Sequence, residues 1–310
     1  MSFLVFCSSL SNTNITGAQT TERIAEKFRK AGMDLHKKGK EDSACILLQH
    51  ALKLFTNQND ILKKADCYSG IGLIMQNKGE YSQALENYIK SENLYKSSIS
   101  YTLSEGYLSL IIRIGTLYFD QGEYVEADKN FQIALILAKH LKNKPGLILC
   151  HLNLGAISEV AENFTDAENY YFQSLGESVN LHDYINTAIS LYNIGSIYYK
   201  QDSLAKAYRF LTLSLHISDS IEDKEGIASS LNYLGLVHEA SGKRVSAMHN
   251  YSQALKIYEE LGQQKNIAGT LTLIGKNLLE STDKSKAMDY FIHSLEISLR
   301  IDAKWKKRSV

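Results

Sequence analysis

Seven glycines constrain this chain more than any other feature. They are Gly32, Gly72, Gly115, Gly155, Gly195, Gly235 and Gly275, and their spacings are 40, 43, 40, 40, 40 and 40 residues. Twelve residues after each stands an alanine: Ala44, Ala84, Ala127, Ala167, Ala207, Ala247 and Ala287. Sixteen residues after each stands a large side chain: Leu48, Tyr88, Phe131, Tyr171, Leu211, Tyr251 and Phe291. Nineteen residues after each the residue is small: Ala51, Ser91, Ala134, Ser174, Ser214, Ala254 and Ser294. A register held seven times is the signature of a tandem repeat, in which each unit buries its apolar face only by stacking on its neighbours.

The register also says what the unit is. Small residues at two fixed positions let two helix backbones approach, and the large residue between them fills the remaining gap. A short turn separates glycine and alanine, and it carries a second glycine in four repeats (Gly39, Gly79, Gly122, Gly242), where a helix ends with positive φ. The chain has a single proline, Pro145, which suits an array of helices. The expected fold is therefore all-α, a right-handed α-solenoid of seven helix-turn-helix repeats, at about 21–60, 61–100, 101–144, 145–183, 184–223, 224–263 and 264–303. The 43-residue interval adds three residues near Ser97–Thr102, where a loop, a kink or a hinge is expected.

The pattern resembles the tetratricopeptide family. The third repeat carries it best, in Ile114-Gly115, Tyr118, Gly122, Tyr124, Ala127, Phe131 and Ala134. The resemblance spans about residues 22–300. It departs from the family in its longer period, in lacking the helix-ending proline, and in the first-helix aromatic, which survives only as Phe28 and Tyr68. Forty-residue forms of this kind are similar to repeats in bacterial signalling regulators, kinesin light chains and polarity adaptors. The resemblance implies a partner-binding groove on the concave face.

First-helix side chains would line that face. Helical spacing places on it the positions six and three before the glycine and one, four and five after it. In the middle repeats these positions are apolar or aromatic: Ile112, Phe119, Leu149, Leu152, Tyr192 and Tyr199. Polar groups flank them: Arg113, Asn153, Glu159, Asn193, Lys200, Asn232 and Glu239. An asparagine amide offers a donor and an acceptor to an extended peptide backbone. The competing reading is that the asparagines bridge adjacent repeats. The partner-binding residues expected are Arg113, Phe119, Leu152, Asn153, Glu159, Tyr192, Asn193, Tyr199, Lys200, Asn232 and Glu239. An exposed apolar stripe calls for a protein or peptide partner, or for self-association.

Other chemistry finds little support. Lys+Arg and Asp+Glu are 34 each, so the basic excess of a nucleic-acid binder is absent. The cysteines Cys7, Cys45, Cys67 and Cys150 contain no C-x-x-C pair, and neither a metal nor a cofactor is expected. The stretch Gly269 to Asn277 has one residue too many between its glycines for a phosphate loop, and Asn277 stands where magnesium needs a hydroxyl. His238-Glu239 lacks the second histidine of a zinc helix. His151 reads as a core histidine. The Arg29 and Arg113 pair lacks the companions of a carboxylate clamp. No catalytic set stands out, so the expected function is a non-catalytic scaffold, with the sensor half of a bacterial signalling system as the alternative.

The ends are distinctive. Residues 1–20 carry no side-chain charge, and read either as a truncated signal peptide or as a disordered leader. The compartment follows that choice: extracytoplasmic if the leader is a signal, otherwise cytoplasmic. Residues 304–310 form a basic tail. No stretch is apolar for long enough to span a membrane.

Overall fold

The computed structural model describes residues 17–98, 101–279 and 284–306. The leader up to residue 16, and the tail from residue 307, lie outside them. Every regular element among the described residues is helical: α1 (Gly17–Lys37), α2 (Glu41–Asn57), α3 (Ile61–Asn77), α4 (Tyr81–Lys96), α5 (Glu105–Asp120), α6 (Tyr124–Leu141), α7 (Lys144–Val160), α8 (Phe164–Asn180), α9 (Tyr184–Lys200), α10 (Leu204–Ser220), α11 (Lys224–Ala240), α12 (Arg244–Leu261), α13 (Gln264–Leu279) and α14 (Lys284–Lys306). They form the seven helix-turn-helix pairs of a tetratricopeptide-like solenoid. The three extra residues fall around a 3-10 turn at Tyr101–Leu103, between α4 and α5. No described helix is long and apolar enough to cross a membrane.

The chain divides into two compact units, up to Leu110 and from Ile111 onward. In the first, α1 pairs with α2, α3 pairs with α4, and α2 stacks on α3. Leu48 is wedged between Gly32 and Gly70; a Cβ on either glycine would lie 3.0 Å from its side chain. In the second unit, α6 through α14 alternate in the same way, each hairpin stacked on the next. Tyr171 and Tyr251 are buried there against Gly155 and Gly235.

The small residue nineteen after the glycine does more than leave room. In three of the four repeats where it is serine, its hydroxyl donates to a carbonyl of the paired first helix: Ser91 to Ala65 (2.7 Å), Ser214 to Ala188 (2.9 Å) and Ser294 to Ala268 (2.8 Å); in the remaining one, Ser174 Oγ pairs with Ser190 Oγ at 2.9 Å. A buried hydroxyl is thereby satisfied at the closest point of the hairpin.

The turns are less glycine-dependent than the sequence suggests. Gly39, Gly79, Gly122 and Gly242 have positive φ as expected, but Glu162 and Asp202 take the same left-handed conformation in the fourth and fifth repeats, both at φ 57°. Backbone bonds hold them there: Asn163 N–H donates to Ser158 O and Ser203 N–H to Tyr198 O, each at 2.8 Å. The hydrogen-bonded helix end offsets the roughly 1–2 kcal/mol that a side chain costs in this region.

The buried tyrosines make stability sensitive to alkali. Burial, reinforced by nearby Glu159 and Glu239, pushes the Tyr171 and Tyr251 phenols far above their ordinary range. Burial likewise pushes Tyr198 up to about 12. In the unfolded chain each would ionise near pH 10. The folded state thus binds more protons than the unfolded state above that pH. The contribution is fully present below about pH 10 and is lost as pH rises toward the folded values. Denaturant midpoints are expected to hold steady to about pH 9.5 and then fall, with the buried tyrosines' share of the phenolate absorbance appearing only as the chain unfolds.

Candidate functional site

The first helices of the second unit carry the expected residues in different environments. The clearest grouping is aromatic. Tyr192 and Tyr199 lie two turns apart on α9, and Tyr233 of α11 reaches both. Its ring meets Tyr192 edge-on at 5.1 Å between centroids and Tyr199 at 6.1 Å. All three are half-buried. Burial holds the Tyr192 phenol well above its usual range, with the adjacent Tyr233 adding to the effect. Sequence reasoning missed Tyr233. It stands two before Gly235, the register of Asn153 and Asn193, and that register was the available signal.

Three asparagines of the same type have three fates. Asn153 donates to the carbonyl of Leu149 on its own helix at 2.7 Å. Asn232 donates to Thr270 Oγ1 of α13 at 2.8 Å, bridging adjacent repeats, while its amide oxygen is buried without a partner. Asn193 has no side-chain hydrogen bond among the described residues and lies half-exposed in the wall of a pocket of about 440 Å³. That pocket sits between α9 and α11, with Ile185, Ile189, Tyr192 and Ser229 among its lining.

The expected carboxylates are largely occupied. Glu159 accepts from Tyr171 Oη at 2.8 Å and from Ser196 Oγ at 3.3 Å, and it pairs with Lys200 Nζ at 2.9 Å. Glu239 accepts from Tyr251 Oη at 2.9 Å and from Asn277 Nδ2 at 3.4 Å. In the first unit Gln76 accepts from Tyr88 Oη at 2.8 Å in the same register. Wherever the wedge sixteen after the glycine is tyrosine, the residue four after the glycine is a carboxylate or carboxamide that accepts its hydroxyl. Where the wedge is Leu or Phe, that position is His36, Phe119, Tyr199 or Leu279. Glu159 and Glu239 are thus part of the stack before any partner arrives.

Leu152 is placed in the core rather than on the face: it is 9% exposed and packs in the cluster of Ile148, Tyr171 and Ile194. Ile112 is buried to the same extent, while Leu149 remains exposed. Ile194 of the next repeat lies in the same cluster, so this side of α7 faces the stacking seam, whereas Tyr192 at the same register of α9 lines the pocket. Phe119 is half-buried and packs edge-on against Tyr124 at 5.3 Å. Arg113 is half-buried and engaged within the chain. His151 is a core residue, stacked on Tyr170 at 6.2 Å, but not the satisfied core histidine expected: both ring nitrogens are buried and unpartnered. Burial first, then nearby Lys139, holds its pKa low, so it is neutral.

A larger cavity, about 630 Å³, opens between α10, α11 and α12 and is lined by Leu215, Ile227, Ile257 and Lys256 among others. It contains none of the expected face residues. It also contains no buried polar atom left without a partner, in contrast to the α9–α11 pocket. No cluster of three or more metal-ligating side chains occurs among the described residues.

Two family models match the sequence. Residues 186–260 match the tetratricopeptide repeat, and residues 10–144 match the soluble NSF attachment protein, SNAP. No curated protein matches significantly. Solved structures are similar at the level of fold. The apo form of RapI is 15% identical with a TM-score of 0.72, over 90% of this chain and 99% of its own. A Rap protein complexed with competence and sporulation factor is 13% identical with a TM-score of 0.72, over 97% and 80%. The Rap conjugation gene regulator of the plasmid pLS20, in complex with the Phr* peptide, is 18% identical with a TM-score of 0.70, over 94% and 80%.

Proposed function

From the premise that this chain is a tetratricopeptide-repeat protein, we propose that it is a non-catalytic scaffold holding an extended peptide, or an extended segment of a partner protein, on the first-helix face of its second unit. The observation that carries the reading is Asn193. Its amide has no partner among the described residues, stands beside an aromatic cluster and opens onto a pocket. An unpaired carboxamide can take a peptide N–H and C=O together, which fixes an extended backbone. Tyr192, Tyr199 and Tyr233 supply rigid apolar area next to it, at small cost in side-chain entropy.

Lys200 and Glu159 form the rim of this face, and their pairing keeps the charges balanced where the peptide would enter. Self-association is the competing use of the same face, and it predicts a concentration-dependent mass that peptide does not alter.

Asn193→Ala is expected to weaken peptide binding about tenfold, from two lost hydrogen bonds of about 0.5–1.5 kcal/mol each. Helicity should be unchanged. Fluorescence anisotropy with peptides selected from a random pentapeptide library measures this directly. Tyr192→Phe serves beside it, because the ring packs on Tyr233 and its truncation would disturb the fold. Selected peptides that bind Asn193→Ala as well as the parent would end the reading.

A regulatory role is the second reading, favoured by the fold-level likeness to Rap regulators seen with peptide. In that case peptide binding would change the affinity for a second protein partner, and the output would reside in that partner.

A further inference from the structure

The α9–α11 pocket has a second feature, which emerges when the repeats are laid over one another. At the start of α9, Asp183 caps the helix. It accepts from Asn186 N at 3.1 Å and from Asn186 Nδ2 at 2.7 Å. Beside it, Thr187 Oγ1 donates to the buried Ser178 Oγ at 3.1 Å. This small network is closed. Forty residues on, at the start of α11, the framework recurs as Ser218 and Asp223. Its partners do not: Gly226 stands in place of Asn186, and Ile227 in place of Thr187.

The consequence is an open network. Asp223 makes no cap hydrogen bond. Ser218 Oγ is fully buried and has no partner. Both line the pocket, and they converge on one point: a Cβ on Gly226 would lie 2.4 Å from Asp223 Oδ2 and 2.4 Å from Ser218 Oγ. Glu225 adds a second carboxylate to the lining and Tyr192 adds a ring. No basic residue lines the pocket, and Lys224 next door is already paired with Glu260 at 2.8 Å. A helix N-terminus alone would favour an anion. Two carboxylates with no internal cation oppose an anion here, and present acceptors to a group rich in donors.

We propose that this pocket receives the ammonium or guanidinium group of a lysine- or arginine-bearing segment, with Asp223, Glu225 and Ser218 accepting its hydrogen bonds and Tyr192 offering its face. The proposal rests on the peptide-binding reading above and gives it a chemical preference. Gly226 is the residue that makes the site: with no side chain there, Asp223 and Ser218 close in on the position Asn186 holds in the preceding repeat, and no amide takes up the carboxylate.

The test uses two small probes, n-butylguanidinium and its neutral counterpart N-butylurea, with ligand-detected NMR on the full chain. The parent protein is expected to prefer the cation by about tenfold, the discrimination of one charge-assisted hydrogen bond. Gly226→Asn puts back the amide that binds the capping aspartate in the preceding repeat and should abolish the preference with helicity intact. Asp223→Asn should do the same, and it keeps the test independent of how Gly226→Asn folds. Equal binding of the two probes by the parent, or a preference surviving in both variants, overturns the proposal. Because the probes need no peptide backbone, they separate this subsite from the Asn193 contact. A cation preference in a protein that binds no peptide would sink the scaffold reading alone. Peptide binding with no preference for Lys or Arg would sink this one alone.

Discussion

Tyr171→Ala is expected to lower the unfolding free energy by about 3–5 kcal/mol, the range for truncating a buried aromatic. The ring is 1% exposed and lies across Gly155, where a Cβ would come within 2.5 Å of its Cε1. Removing it leaves a void that the opposite helix cannot fill, because the residue facing it has no side chain. It also takes from Glu159 the hydroxyl that bonds it at 2.8 Å. Tyr171→Phe isolates that second effect and should cost only about 1 kcal/mol. Urea denaturation followed by circular dichroism reads both. In a repeat array each unit is stabilised by its neighbours, so the loss should appear as a separate early transition of the second unit. A Tyr171→Ala cost below 1 kcal/mol would mean that the ring is not the wedge of its hairpin.

Gly235→Val approaches the same seam from the other side, and is expected to cost about 3 kcal/mol or more, at the upper end for overpacking. A Cβ alone would lie 2.3 Å from Tyr251 Cε1 and 2.6 Å from Cδ1. The ring cannot swing away freely, since it is fully buried and its hydroxyl is bonded to Glu239 at 2.9 Å. The contact is specific, so it should show in a double-mutant cycle. Gly235→Val combined with Tyr251→Ala should cost less than the sum of the two single changes, because the space vacated by the ring takes the new methyl groups. Additive costs would mean that the glycine is required for backbone reasons instead. Either way, thermal denaturation of the four proteins decides it.

These two residues show where the sequence was legible. Gly155 and Gly235 repeat with Tyr171 and Tyr251 at a constant offset, and a constant offset within one hairpin translates directly into a contact. The same holds for Ala167 and Ala247, both fully buried as their register requires. Leu152 shows where legibility ended. It was expected on the groove face, but whether that side of the helix faces a groove or the next repeat depends on how the hairpins stack, and it packs in the core. Glu162 and Asp202 make a similar point: the turn geometry persisted where glycine did not, because a helix-ending backbone bond outweighs the local strain.

By itself, the sequence determined the all-helical fold, the seven hairpins and the residues that seal each one. Those contacts lie between two helices joined by a short turn, so a fixed spacing specifies them. Only the tertiary structure decided which polar groups remain available. Asn153, Asn193 and Asn232 are chemically identical, and Asp183 and Asp223 occupy one register. Of the three amides only Asn193 makes no side-chain hydrogen bond among the described residues, and of the two aspartates only Asp223 makes no cap bond. The reason is physical: a side chain's partners come from whatever adjacent turns and repeats bring within about 3 Å, and two changes there, Gly226 for Asn186 and Ile227 for Thr187, turn a closed network into an open one.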